Sequence, residues 1–132
     1  MDNVFSFATA RATSRANLTA TWLDGGEIHV YDATRAATSN TAITGQTLLL
    51  IFSLPSPAGT VANGVFTAGS VAAALILATG NATWARVFDS SAVAVGDCDV
   101  GATNSGAMIE INNTALVSGA YCSMVSFTLN EG

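Results

Sequence analysis

The apolar residues of this chain come in short runs broken mostly by Ser, Thr, Gly, Asn or Asp; Leu48–Phe52 and Val71–Ala78 are the longest. A spanning helix needs about 20 apolar residues in a row, so no membrane segment is expected. Short apolar segments spaced by turn residues are the pattern of a sandwich or barrel. Ala12, Ser14, Ala16, Leu18, Ala20 and Trp22 alternate with Thr13, Arg15, Asn17, Thr19 and Thr21, and a period of two predicts a half-buried strand. Asp24-Gly25-Gly26 provides a turn into Glu27–Tyr31, where Ile28 and Val30 oppose His29 and Tyr31. Asp32–Gly45 is polar and aperiodic, which predicts a long surface loop. Gln46–Leu54 is apolar on both faces, which predicts a central, doubly covered strand ended by Pro55 and Pro57.

Further strands are expected at Val65–Ala68, Thr83–Phe88, Val93–Val95, Ala107–Ile111 and Tyr121–Leu129, with Asp89-Ser90-Ser91 as a hairpin turn. Val71–Ala78 reads as loop or edge strand, being barely two helical turns long and poorly capped. The sum is an all-β fold: a single-domain antiparallel β-sandwich, jelly-roll-like, of about eight strands. It is expected to occupy residues 11–132, behind an N-terminal arm over residues 1–10 that includes Phe5 and Phe7.

Charge narrows the functions. The chain has 132 residues, 50% hydrophobic and only 10% charged, where soluble domains run near 25% charged. All four cations are arginines (Arg11, Arg15, Arg35 and Arg86) against nine carboxylates, for a net charge of −5. Without a basic cluster, phosphate neutralisation is not its business, so no nucleic-acid partner is expected. The first residues lack a basic region followed by an apolar one, so synthesis in the cytoplasm is expected. So few charges predict an outside that faces other protein.

Catalytic constellations are not supported. His29 is the one histidine and sits in a strand pattern. Cys98 and Cys122 fit neither a redox nor a zinc spacing, and free thiols are the expectation in a reducing compartment. Asp97 and Asp99 flank Cys98 and oppose thiolate formation, which argues against a nucleophile. Asp89, Asp97 and Asp99 could gather around calcium, but a solvated turn explains them as well. Trp22 and Trp84 could form a sugar-stacking platform, with core packing as the plainer reading. The expectation is a non-enzyme with no catalytic residues, no cofactor and no metal.

The segment from Asn3 to Leu23 carries Arg11 and Arg15 and no carboxylate. Arginine and aromatic residues are what interfaces favour, so Phe5, Phe7, Arg11 and Arg15 form one candidate docking set. The alternative is a first strand with two solvated arginines.

Glu27-Ile28-His29-Val30-Tyr31-Asp32-Ala33-Thr34-Arg35, Asn63-Gly64-Val65-Phe66-Thr67-Ala68, Gly80–Asp89 and the closing Gly119–Leu129 segment together resemble small virion proteins of tailed bacteriophages. The resemblance implies a capsid cement or decoration protein with a jelly-roll fold, on the outer surface of the virion head. Its implied role is to bridge neighbouring capsomers and stabilise the DNA-filled shell. Its implied partners are the major capsid protein and further copies of itself, as a dimer or trimer. Leu75, Ile76 and Leu77 depart from the family pattern and are expected to add an apolar contact surface. The rival reading is a head- or tail-fibre, lectin-like module that binds host-surface glycans.

Overall fold

The computed structural model describes residues 8–130. In chain order they form α1 (Thr9–Leu23), β1 (Glu27–Tyr31), β2 (Leu48–Ser53), β3 (Gly59–Ala62), β4 (Val65–Ala68), β5 (Ala74–Leu75), β6 (Gly80–Asn81), β7 (Trp84–Phe88), β8 (Ala94–Ala102), β9 (Ile109–Ile111), β10 (Ala115–Leu116), β11 (Tyr121–Cys122) and β12 (Met124–Asn130). The protein is mostly β, as the punctuated sequence predicts. Its main element is one curled sheet of eight strands in the order β2-β1-β7-β8-β9-β12-β4-β3. All neighbours in it are antiparallel except β8 and β9, which run parallel, so the sheet is mixed rather than purely antiparallel. Two short ribbons, β5 with β11 and β6 with β10, complete the fold.

Register puts the core on one face. Ile28 stands opposite Phe52 and Val87, Val30 opposite Leu50 and Ala85, and Ala85 opposite Cys98. All of these are buried, and Ile109, Ile111, Phe127 and Phe66 continue the same cluster. Phe66 and Phe127 meet edge to face at 5.7 Å between centroids, a favoured aromatic geometry. The other face of the same strands carries Glu27, His29 and Tyr31, then Trp84, Arg86 and Phe88, then Asp97 and Asp99.

Residues Ala12–Trp22 correct the sequence reading: they are helix, not strand. The buried positions are Ala12, Ala16, Thr19 and Leu23, a spacing of four, three and four that fits 3.6 residues per turn. Ser14, Leu18 and Trp22, which the alternating pattern placed on one face with the alanines, are exposed. Alanine is the best helix former, and neither Gly nor Pro interrupts the stretch. Ser14, Thr19 and Thr21 each donate a side-chain hydrogen bond to the carbonyl four residues back, satisfying hydroxyls that would otherwise compete with the helix. The boundary expected between arm and sandwich, at residues 10 and 11, falls inside α1; Phe5 and Phe7 lie outside the described residues.

Leu23 is followed by Asp24 and by Gly25 at φ +68°, which turns the chain into β1. A side chain at Gly26 would stand 2.1 Å from the Phe88 carbonyl oxygen, so the close approach requires glycine. α1 packs on β3 and β4, where Gly64 N–H donates to the Thr13 hydroxyl at 2.9 Å.

Strand β2 also differs from expectation. It ends the sheet instead of lying at its centre. Both of its faces are nevertheless covered, since Leu49 on one and Leu50 and Phe52 on the other are fully buried, and its outer edge is met where Leu77 N–H donates to the Leu49 carbonyl at 2.7 Å. Pro55 and Pro57 follow its end, and residues 32–47 form the expected loop without regular structure.

Candidate functional site

The outer sheet face holds a charged cluster that the sequence reading did not single out. Arg86 is buried within the apolar strand β7, and its side chain and that of Asp97 are 6% and 7% exposed. β7 and β8 set the two residues directly opposite one another. Arg86 Nε donates to Asp97 Oδ1 at 2.8 Å and Nη2 donates to Oδ2 at 3.1 Å, a bidentate pair. Two further donors reach the 32–47 loop: Nη1 to the Thr41 carbonyl at 2.7 Å and Nη2 to the Thr38 carbonyl at 3.0 Å. The guanidinium also lies 5.6 Å from the centroid of the Trp84 ring, which stacks on Tyr31 at 4.8 Å. The hydrogen bonds to Asp97 hold the Arg86 pKa above its ordinary value against the opposing effect of burial. A lone arginine flanked by Ala85 and Val87, eleven residues before Asp97 across a hairpin turn, was the available signal.

The other acids are similarly committed. Asp89 Oδ1 accepts from Ser91 N–H and Val93 N–H, closing the β7–β8 hairpin turn that the sequence predicts. Asp99 Oδ1 accepts from Met108 N–H, and Asp32 Oδ1 accepts from Thr47 N–H. Asp89, Asp97 and Asp99 thus serve three separate structural jobs, and no His/Cys/Asp/Glu group among the described residues has metal-binding geometry. His29 Nε2 pairs with Glu27 Oε1 at 3.0 Å, and its ring rests 4.4 Å from Phe88. Cys98 and Cys122 are free and buried. Burial, aided by Asp99 and Asp97, pushes the Cys98 thiol up to about 12, the reverse of what a nucleophile needs.

Apolar side chains are instead left outside, most of them in two places, with Val125 on β12 exposed as well. One is the flank of α1, where Leu18 and Trp22 are 52% and 48% exposed, beside Val93 at 60%. At 100° per residue, Arg11, Arg15, Leu18 and Trp22 fall within an arc of about 60° on the helix. Trp22 also stands at a cleft of about 270 Å³ between α1 and the sheet, lined by Val87, Val95, Met108 and Phe127. The second is the ribbon at the outer edge of β2. Leu75 and its cross-strand partner Tyr121 are exposed, as are Leu77 and Val117, next to a groove of about 280 Å³ lined by Ile51 and Ala73.

The expected interface residues therefore divide. Arg11 and Arg15 are exposed on α1, and Leu75 and Leu77 are exposed on the ribbon. Ile76 is corrected: it is 4% exposed and belongs to the core. Alternation along the extended segment turns it inward between two outward leucines, while its N–H donates to the Ala120 carbonyl at 2.8 Å. Of the two tryptophans, Trp84 is buried and donates its Nε1–H to the Asp32 carbonyl, which leaves Trp22 for any stacking role. No family model, curated protein or solved structure matches this chain.

Proposed function

We propose that this chain is a non-enzymatic structural protein of a tailed-bacteriophage virion, a cement or decoration protein on the outer head surface, with a jelly-roll-like sheet as its body. The observation that carries the reading is the pair of exposed apolar surfaces on a chain with so little charge. Two separate surfaces suit a bridge, which must hold two neighbours at once. The ribbon surface, with Leu75, Leu77 and Tyr121, is the one assigned to the major capsid protein. Apolar burial there supplies the attraction at about 25 cal/mol per Å², and repetition around the shell multiplies weak contacts into avidity. The pinning of the 32–47 loop by Arg86 supports the same role, because a protein bearing load between capsomers needs an ordered outer face.

The test is to add purified protein to virions that lack it, then measure co-sedimentation and DNA release on heating. Saturable binding and DNA retention to a higher temperature are expected, and Leu75→Glu together with Leu77→Glu should abolish both while leaving the fold intact. Particles that never take up the wild-type protein overturn the reading.

A further inference from the structure

The exposed flank of α1 is built to pair with itself, and the geometry points to a second copy of this chain, docked antiparallel along α1 about a two-fold axis, as its occupant. This rests on the bridging role only for its purpose; the pairing stands on the helix itself. Charges on α1 are placed against its own dipole. The first turn has no acid and carries Arg11, the last turn has no base, and the helix ends at Asp24, whose Oδ1 accepts the Ala58 N–H at 2.7 Å. A cation near the positive end and a carboxylate at the negative end are both unfavourable in a lone helix. Asp89 adds to the negative end, since it lies with Trp22 and Val93 around one surface depression.

Antiparallel docking relieves both mismatches together. The flank runs from Arg11 to Trp22, about 16 Å at 1.5 Å per residue. A two-fold axis between Arg15 and Leu18 sets each Arg11 against the partner's Trp22 and Asp89, and each Leu18 against the partner's Arg15 stem. Cation–π contact, an ion pair and apolar burial then coincide, with the same patch used by both copies. Charge complementarity within a single patch is what selects a second copy over an unrelated protein. A flank of about 16 Å offers a small contact, so the pairing is expected to be weak in solution and to be completed by the geometry of the shell.

Sedimentation equilibrium of the full chain, from about 1 µM to 1 mM, tests this. The expected mass climbs from 13.3 kDa towards twice that value, and no further. Raising salt should weaken the association. Leu18→Glu should leave a folded monomer at all concentrations, by circular dichroism and mass. Asp89→Asn keeps an acceptor for the Ser91 and Val93 amides but removes the charge; it should weaken pairing about two- to fivefold, and not further in an Arg11→Gln background. A monomer throughout, a trimer, or a dimer indifferent to Leu18→Glu overturns the pairing. A wild-type monomer that still binds and protects virions would sink this inference alone.

Discussion

The sheet face around Arg86 and the flank of α1 handle charge and apolar surface in opposite ways. Around Arg86 a guanidinium and a carboxylate are taken out of water, and each nitrogen of the fork finds an acceptor on Asp97 or the 32–47 loop. On α1, Arg11, Arg15, Leu18 and Trp22 all lie in exposed positions. Burying charge is costly unless geometry is complete, and exposing large apolar groups forfeits their burial. The first region meets its cost within the monomer. The second leaves its potential gain unrealised until something covers it, and this contrast separates what holds the fold from what is offered to partners.

The comparison breaks most easily at Arg86. Arg86→Ala strands a buried carboxylate and should cost about 3–5 kcal/mol in denaturant unfolding, with faster amide exchange at Thr38 and Thr41. A loss under about 1 kcal/mol would show that the cluster is not a structural element. Alkaline titration sharpens the same picture on the core side. The Cys98 thiol ionises near 9.0 when unfolded and at about 12 when folded, so its contribution is intact below pH 9 and is lost as pH rises towards 12. At about pH 10.5, one and a half units into that window at 1.36 kcal/mol each, the loss from this group is about 2 kcal/mol. Tyr31 and Cys122 are raised by burial and act in the same direction. Cys98→Ala should flatten the alkaline fall in thermal melts. The smallest effect belongs to the flank: Leu18→Ser should change monomer stability by no more than about 0.5 kcal/mol, measured at concentrations too low for association. A larger loss would make Leu18 part of the core.

Local pattern made much of the sheet legible. Alternation in Glu27–Tyr31, the short strand at Val65–Ala68 and the Asp89 turn each rest on interactions between near neighbours in sequence. Both Asn63 and Gly64 adopt positive φ, the two-residue hairpin that joins β3 to β4. The helix was misread because Ala12 and Ala16 satisfy both periods, and small residues reveal which only when something packs on them. Ile76 was grouped with its neighbours because an unbroken apolar run does not say which side faces inward. The candidate surfaces were half legible. Arg11, Arg15, Leu75 and Leu77 carried a signal, whereas Val93, Val117 and Tyr121 did not stand out from strand residues.

The sequence by itself determined a β-rich chain, the turns that punctuate it, the long polar loop and an unusually uncharged exterior, since these follow from backbone preference and composition. Tertiary structure decided that Thr9–Leu23 coils, that β2 ends the sheet under cover, and that Arg86 meets Asp97 and the Thr38–Thr41 loop. Each of those depends on groups far apart in the chain, whose desolvation becomes favourable only once the partners are already in place.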